Sequence, residues 1–330
     1  AEGTDVVDEL HRRGLIALST DESALRAHLA EGPVAYYAGF DPTAQSLHVG
    51  HLLQFTVLRA LQRAGHQPVV LVGGATGLIG DPRPSSERQL NDRETVAGWV
   101  ARIREQVAPF LDVPAERDGL RGPVYVDNLD WTAPVSAIDF LRELGKHFRV
   151  SQMLAKEAVS ARLNSEAGIS YTEFSYQILQ ANDFRELFVR HGVTLQTGGS
   201  DQWGNLTAGI DLVRRTEGAR VHALATPLVT RADGTKFGKS EGGAVWLDPA
   251  LTSPYAFFQF WLNADDADAR AWLPLYSERP ADEVAALVAE SLERPAGRAA
   301  QRALAEELTL LVHGADELRV LGQEVERRVL

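Results

Sequence analysis

Short apolar runs and helix-length segments alternate along the first two thirds of the chain. Each apolar run has the length of one strand, and each intervening segment is long enough for a helix. This alternation predicts a parallel sheet that is covered by helices on both faces. The predicted strands cover residues 34–40, 68–73, 124–128, 193–197 and 222–226. The expected fold class is α/β, a Rossmann-like doubly wound parallel sheet, in which ligands bind beyond the carboxyl ends of the strands.

Helical periodicity accounts for much of the remaining pattern. Residues 47–64 have a helical period, and Ser46 is a suitable N-cap for that helix. Asn91 and Glu94 have the spacing of a capping box, which predicts a helix through residue 107. The strand pattern stops after residue 248, and residues 253–330 predict successive amphipathic helices.

Composition limits the class of protein. The chain has 330 residues, of which 45% are hydrophobic and 24% are charged, as in a soluble globular protein. It contains no cysteine, and its acidic N-terminus lacks the apolar stretch of a secretory signal. We therefore expect a cytoplasmic protein that does not enter a membrane. The net charge of −12 argues against a general nucleic-acid-binding protein, which would present a basic face.

A predicted strand, a tight turn and a helix start follow one another in residues 34–51. Such a junction directs backbone N–H groups and the positive end of the helix dipole to a place where a phosphate binds well. His48 and His51 share a helix face, so both imidazoles can donate to that phosphate, while Gly50 leaves room for a ligand. Capping or surface histidines are the alternative. A zinc site is disfavoured, because no third ligand lies at helical spacing.

A second phosphate-type motif lies far from the first one in sequence. Lys236 and Lys239 are three residues apart in a glycine-containing segment that ends at Ser240. Two such lysines suit a mobile loop that closes on a polyphosphate, although a solvated basic turn would have the same composition. The predicted division of the chain is an N-terminal helical segment (1–32), a Rossmann-like catalytic domain (33–225), this mobile loop region (226–247) and an α-helical domain (248–330).

Two glycine-rich turns each carry a carboxylate after a predicted strand. One contains Asp81 and resembles a dinucleotide fingerprint only loosely, and the other contains Asp201. A tight loop and a helix cap, respectively, are the simpler explanations. Residues 171–183 predict a helix on which Tyr176, Gln180 and Asp183 share one face. If they are buried, these polar groups must be hydrogen-bonded, either to one another or to a ligand.

The histidine segment resembles the His-x-Gly-His signature of class I aminoacyl-tRNA synthetases, and residues 236–240 resemble their Lys-x-x-Lys-Ser/Thr loop. The segments 39–52, 73–82, 171–183 and 196–205 are similar to those of the bacterial-type tyrosyl-tRNA synthetase family. The resemblance extends from about residue 15 to the end of the chain. It implies activation of L-tyrosine with ATP to tyrosyl-adenylate and pyrophosphate, followed by transfer of tyrosine to the 3′ end of tRNA(Tyr).

The resemblance also implies roles for individual residues. The implied donors to the reacting phosphates are Thr43, His48, His51, Lys236, Lys239 and Ser240. The implied tyrosine-binding residues are Tyr37, Asp81, Tyr176, Gln180, Asp183, Gln196 and Gln202, with Tyr37 and Asp183 at the phenolic hydroxyl. The implied ATP-binding residues are Gly39, Asp41, Gly50, Gly199, Asp201, Leu228 and Val229. No metal site on the protein is implied, since Mg²⁺ is expected on the phosphate oxygens of ATP and pyrophosphate.

The resemblance further implies a homodimer, with an apolar interface expected near residues 128–148. If tRNA binds, basic residues on predicted helices are candidates for the contact, although solvated helix faces are the simpler explanation. These candidates are Arg142, Lys146, Arg149, Lys156 and Arg162.

The chain departs from the family pattern in three places. Arg83 or Arg88 would have to replace a lysine that many relatives carry after Pro82, and Ala38 stands where some have cysteine. The family's small C-terminal RNA-binding domain has no counterpart before residue 330, so we expect adenylate formation with weak tRNA charging. The alternatives are a tryptophanyl-tRNA synthetase and a catalytically silent paralogue that binds ligands.

Overall fold

The computed structural model describes residues 5–84, 86–111, 120–235, 237–240 and 243–321, with only the backbone described at residues 239 and 240. Its centre is a six-stranded sheet with the order β1-β6-β5-β2-β3-β4. The strands are β1 (Leu18–Ser19), β2 (Ala35–Phe40), β3 (Gln67–Val72), β4 (Val124–Asp127), β5 (Val193–Gly199) and β6 (His222–Thr226). All neighbouring strands are parallel except β1, which pairs antiparallel with β6. The Rossmann-like fold class is confirmed.

Helices follow most strands and cover both faces of the sheet. In the first part of the chain they are α1 (Val6–Arg12), α2 (Glu22–Ala30), α3 (Leu52–Arg63), α4 (Gly74–Ile79), α5 (Arg93–Leu111), α6 (Leu129–Thr132), α7 (Ala137–Asp139), α8 (Val150–Leu154), α9 (Glu157–Leu163), α10 (Tyr171–Phe174), α11 (Tyr176–His191) and α12 (Trp203–Glu217). The later helices are α13 (Pro254–Leu262), α14 (Asp266–Tyr276), α15 (Ala281–Glu293) and α16 (Ala299–His313). Single 3₁₀ turns occupy Val49–His51, Gly145–His147, Ser200–Gln202 and Pro295–Gly297, and a π-helical turn occupies Phe140–Leu144.

Alternating side chains of the central strands fill two apolar layers. Tyr36 and Phe40 of β2 belong to a large core that α3 and α5 also line. Tyr37, between them, points to the opposite layer, where it packs with Phe184 of α11. Both faces of the strand are therefore covered, as its continuous apolar sequence requires.

The strand order creates a switch point between β2 and β5. From β2 the chain continues outward through β3 to β4, and from β5 it continues in the other direction to β6. The connecting segments therefore diverge above these two strands, which leaves a crevice at their carboxyl ends. The fold places a ligand site at this position.

Three local predictions were wrong. Ser46 is not the cap of the helix that follows, because its hydroxyl donates to Leu47 O while the His48 ring caps the 3₁₀ turn. Asp92, not Asn91, accepts the Thr95 amide at the start of α5, so the N-cap lies one residue later than the predicted capping box places it. The N-terminal segment is not only helical, since β1 extends the sheet.

A second, smaller two-stranded ribbon follows the sheet. It pairs β7 (Lys239–Ser240) with β8 (Gly243–Ala244). From residue 253 onward, the described residues form only helices and turns, as predicted. The rings of Phe257, Trp261, Trp272 and Tyr276 are buried among α13, α14 and α16. The positions of the domain boundaries remain a prediction. In the part of the chain that the structure describes, no helix is long and apolar enough to cross a membrane.

Candidate active site

A cavity of about 440 Å³ lies at the carboxyl ends of the central strands. It brings together residues that the sequence analysis named in widely separated segments. The predicted residues that line it are Tyr37, Gly39, Asp41, Thr43, Gly50, His51, Asp81, Tyr176, Gln180, Asp183, Gln196, Gly199, Asp201, Gln202, Leu228 and Val229.

Hydrogen bonds determine which nitrogen of each imidazole carries the proton. The amide of Gly50 donates to His48 Nδ1 at 3.0 Å, and the amide of His48 donates to His51 Nδ1 at 3.1 Å. An amide N–H can only donate, so the neutral rings that accept these bonds carry the proton on Nε2. His51 Nδ1 also lies 3.3 Å from His48 O, but this contact is longer than the one with the His48 amide, and we assign the tautomer from the shorter contact. Burial, together with the neighbouring His48 ring, lowers the pKa of His51 to about 3. His51 is therefore a neutral Nε2–H donor at physiological pH.

The two histidines differ in their relation to the cavity. His51 lines it, whereas the ring of His48 does not belong to its described wall. The His48 ring lies 4.1 Å from the His51 ring and 6.0 Å from the ring of Trp246, measured between centroids. Within the described residues, His51 is the histidine that faces the cavity.

The lysine loop lies against the histidine segment. Val49 donates to Val245 O at 3.0 Å, and Val245 donates to Gly238 O at 3.0 Å. Gly238 has a φ of +81°, and a Cβ there would lie 3.1 Å from Val49 Cγ2 and 3.7 Å from the Gly50 nitrogen. The backbone of the histidine segment and that of the lysine loop are thus adjacent, although they are far apart in sequence. Lys236 lies outside the described residues, as do the side chains of Lys239 and Ser240.

A buried polar set surrounds Tyr37 and Asp183. The Tyr37 hydroxyl donates to Gln196 Oε1 at 2.8 Å. The Asp183 carboxylate accepts from Asn128 Nδ2 and Trp131 Nε1, each at 2.9 Å. Burial raises the pKa of Asp183 to about 8 against the effect of these two donors. Sequence reasoning missed Asn128 and Trp131, since neither residue type nor spacing indicates that they reach Asp183.

Asp41 is fully engaged by the protein. Its carboxylate accepts from the Thr76 hydroxyl at 2.7 Å and from the Tyr176 hydroxyl at 2.5 Å. Burial raises the pKa of Asp41. Gln180, one turn beyond Tyr176 on α11, has a buried Oε1 with no hydrogen-bond donor among the described residues. This oxygen is an acceptor in the wall of the cavity.

Asp81 is already bound by a cation. Lys156 Nζ lies 2.9 Å from Asp81 Oδ1, and Gln202 Nε2 donates to Oδ2 at 3.0 Å. Asn205 Nδ2 is 3.3 Å from Oδ1 and also supports the carboxylate. This carboxylate therefore accepts an ammonium group. Sequence reasoning placed Lys156 on a surface patch and missed both Lys156 and Asn205 as partners of Asp81.

The candidate tRNA patch is corrected at Arg162. This side chain is 1% exposed, so it cannot contact a macromolecule. Arg142, Lys146 and Arg149 are exposed, as predicted. Helical periodicity alone does not distinguish a buried arginine that has a fixed partner from a solvated arginine.

The glycine turn after β5 brings Asp201 to the rim of the cavity. Asp201 is exposed, and a Cβ on Gly199 would lie 2.5 Å from its Oδ1. Leu228, also at this rim, is 57% exposed although it is apolar. A carboxylate beside an exposed apolar side chain fits a ligand with a sugar hydroxyl next to a flat apolar ring.

Arg88 supplies the permanent positive charge of the described wall, which also holds the carboxylates of Asp41, Asp81, Asp183 and Asp201. No group of three or more metal-ligating side chains occurs among the described residues. The described wall thus offers one guanidinium and one neutral imidazole to an anion.

Residues 29–329 match the sequence profile of the tRNA synthetases class I (W and Y). The chain belongs to this family. The tyrosine–tRNA ligase of Streptomyces avermitilis is 64% identical to this synthetase over 315 residues, which are 95% of the chain and 74% of that relative. The tyrosine–tRNA ligase of Acidothermus cellulolyticus is 62% identical over the same shares of the two proteins. A solved structure of a C-terminally truncated Aspergillus nidulans mitochondrial tyrosyl-tRNA synthetase has a TM-score of 0.88, at 29% identity over 100% of this synthetase and 95% of that chain.

Proposed function

We propose that the cavity between β2 and β5 binds tyrosine and ATP side by side and joins them. The enzyme has the activity of a tyrosine–tRNA ligase. It activates L-tyrosine with ATP to tyrosyl-adenylate and pyrophosphate, and then transfers tyrosine to the 3′ end of tRNA(Tyr). One observation supports this assignment above all. The wall of the cavity contains both the buried Tyr37 and Asp183 side chains and the Asp81 carboxylate, which binds the ammonium group of Lys156.

The phenolic hydroxyl of tyrosine binds between Tyr37 and Asp183. Both groups are buried, and neither bonds to the other in this structure, so each has hydrogen-bonding capacity to offer. A substrate without the hydroxyl leaves these groups desolvated and unpaired, which weakens its binding.

The α-ammonium group of tyrosine binds at Asp81, Tyr176 and Gln180. Lys156 already presents an ammonium to Asp81, and Gln180 Oε1 supplies an unused acceptor. Gln202, which donates to Asp81, lies at this end of the pocket, near the tyrosine carboxylate. Gln196 belongs to the phenol end, because it accepts from the Tyr37 hydroxyl.

ATP binds across the rim and the histidine segment. Asp201 takes the ribose, with Gly199 allowing its close approach, while Leu228 and Val229 contact adenine. Gly39, Asp41 and Gly50 line the path of the phosphates. Asp41 acts there through Thr76 and Tyr176, whose hydroxyls it holds.

The first chemical step is attack of the tyrosine carboxylate on the α-phosphorus of ATP. A carboxylate is a nucleophile without deprotonation, so the step requires placement and charge stabilisation rather than a general base. As the bond to pyrophosphate breaks, negative charge grows on the phosphate oxygens, and fixed donors lower the barrier. His51 Nε2–H and Arg88 are donors of this kind, and we assign the same role to Thr43, His48, Lys236, Lys239 and Ser240.

Mg²⁺ enters with ATP rather than on a protein site. This ion is usually held by substrate phosphates together with few protein ligands. When bound, the ion neutralises charge on the pyrophosphate.

The proposal extends to partners and location. Exposed Arg142, Lys146 and Arg149 are the basic residues available to the tRNA backbone. Ile138 and Leu141, which are 69% and 55% exposed, present an apolar surface beside them that suits a homodimer interface. The enzyme acts in the cytoplasm, where translation consumes aminoacyl-tRNA.

Amino-acid-dependent ATP–pyrophosphate exchange tests the pocket. The wild type should exchange with tyrosine and discriminate strongly against phenylalanine and tryptophan. Tyr37→Phe and Asp183→Asn should each reduce the preference for tyrosine over phenylalanine by roughly 10- to 100-fold, since each removes a partner of the hydroxyl. Unchanged discrimination in both variants would remove the pocket assignment, and exchange with tryptophan alone would overturn the substrate.

A further inference from the structure

The segment from Asp81 to Arg88 carries two polar groups of the cavity wall, and its described residues, 81–84 and 86–88, belong to no helix or strand. Arg88 folds back over this segment. Its Nε donates to Asp81 O at 2.7 Å, and its stem crosses Gly80, where a Cβ would lie 2.8 Å from Arg88 Cγ. Gly80 has a φ of +82°, which favours glycine. The position of Arg88 is thus tied to the path of this irregular backbone.

Two buried side chains hold that backbone in place. Arg162 Nη1 donates to Ser86 O at 2.6 Å and to Arg83 O at 3.3 Å. Glu173 Oε1 accepts the amide of Arg88 at 2.8 Å. Three points of the segment are therefore fixed from outside by side chains of α9 and α10.

These two side chains also form a pair with each other. Arg162 Nη2 lies 2.9 Å from Glu173 Oε2, and each side chain is only 2% exposed. A buried ion pair adds little stability compared with a well-packed apolar pair, while the loss of one partner leaves a buried charge unpaired. Stability alone does not account for two buried charges that contact the backbone of a cavity-lining segment.

We propose that Arg162 and Glu173 are positioning residues that hold the Arg88 guanidinium in the place where it meets the phosphates of ATP. The inference rests on the proposed role of Arg88. Arg88 is the catalytic residue in this arrangement, and the buried pair acts through it. Neither Arg162 nor Glu173 lines the cavity, so any effect of their substitution on ATP must be transmitted through the segment.

Glu173→Gln in the full chain is the first test. The amide oxygen of glutamine can still accept from Arg88 N–H, but Arg162 loses its counter-charge. Misplacement of Arg88 should lower kcat/KM for ATP in exchange by roughly 10- to 100-fold and leave the tyrosine dissociation constant within about twofold. Arg162→Lys, which keeps the charge but loses the forked geometry, should change the same quantity in the same direction by less. If Glu173→Gln does not fold, Arg162→Lys serves as the test variant instead.

The decisive comparison repeats Glu173→Gln in an Arg88→Met background. If the pair acts through Arg88, the second substitution should add less than about twofold to the loss that Arg88→Met causes alone. Equal effects in both backgrounds, or parallel losses of tyrosine and ATP affinity, would overturn the inference. Full exchange by Arg88→Met would instead remove the proposed role of Arg88, so the two failures are distinguishable.

Glu217→Gln is the matched control. Glu217 pairs with Arg185 at 2.7 Å between α11 and α12, and neither side chain lines the cavity. This variant also removes the carboxylate partner of an arginine, at a half-exposed pair where Arg185 keeps Glu186 at 3.6 Å, and its kinetics should equal those of the wild type. A loss of kcat/KM for ATP equal to that of Glu173→Gln would show that a general weakening of the fold suffices, and it would overturn the positioning role.

Discussion

At the scale of the residue, the histidine pair illustrates how two identical side chains acquire different surroundings. Both rings accept a backbone amide at Nδ1 and keep the proton at Nε2. His51 faces the cavity, while His48 caps the turn and packs beside Trp246. This short motif therefore contains one ring that caps a turn and one ring that faces the cavity.

His51→Ala should lower the rate of tyrosine-dependent exchange by about 10²–10³, because it removes a fixed donor to the reacting phosphates. The tyrosine dissociation constant should stay within about twofold, since the ring is assigned to ATP. His191→Ala, at the exposed end of α11, is the control and should behave as the wild type. A His51→Ala enzyme with wild-type exchange would contradict the assignment.

At the scale of elements, a network of charged side chains joins α1 and α3 to Glu278, which lies just after the end of α14. Glu278 accepts from Arg59 at 2.6 Å and lies 2.8 Å from Arg63, while Arg63 and Arg13 both contact Glu9. Burial alone would raise the pKa of Glu278, but the two guanidinium groups lower it to about 2. The network thus stabilises the contact between the N-terminal helices and the later helices.

Glu278→Gln should lower the free energy of unfolding at pH 7 by about 1–3 kcal/mol, because it leaves two arginines without their shared partner. The pKa of Glu278 is lower in the folded state than its ordinary value of 4.5. Its contribution is therefore complete above pH 4.5 and is lost as the pH falls through about 2. Urea unfolding from pH 7 to pH 3 should show the difference between wild type and variant shrinking below pH 4.5.

Asp316→Asn is the control for this series. Asp316 pairs with Arg319 at an exposed site, so its removal should change the free energy of unfolding by less than about 0.5 kcal/mol at every pH. A Glu278→Gln deficit that stays constant down to pH 3 would refute the electrostatic origin of the contact.

At the scale of the whole molecule, the lysine loop connects the sheet with the helical region. Phe237 lines the cavity, and its ring lies 4.9 Å from Trp272, 5.9 Å from Trp261 and 6.1 Å from Tyr276 between centroids. On the other side, Gly238 approaches the histidine segment. An aromatic anchor in the later helices therefore determines where the loop meets the cavity.

Phe237→Ala should lower kcat for exchange by about tenfold, because the loop, whose lysines we assign to the phosphates of ATP, loses its anchor. Tyrosine affinity should not change. Phe237→Leu retains part of the apolar contact, so its kcat should lie between those of the wild type and Phe237→Ala. Trp272 and Trp261 report the loss of the ring through tryptophan fluorescence, so a normal kcat combined with an altered fluorescence would contradict the anchoring role.

Local pattern was sufficient for the five parallel strands of the sheet but not for β1. The five predicted strands coincide with β2 to β6 within two residues at each end, because their continuous apolar sequences suit only strands buried on both faces. Residues from four of the predicted motifs line one cavity, because parallel strands end at the same edge of the sheet.

The sequence by itself determined the fold class, through local periodicity, and named most of the residues that approach the cavity, through short motifs and the family resemblance that they carry. Only the tertiary structure decided the partners of those residues. Asp81 is held by Lys156, Asp183 by Trp131, and Arg162 lies inside the protein rather than on a tRNA-facing surface. Each of these contacts joins side chains from different parts of the chain. The periodicity of the sequence does not show whether a long charged side chain faces solvent or a buried partner.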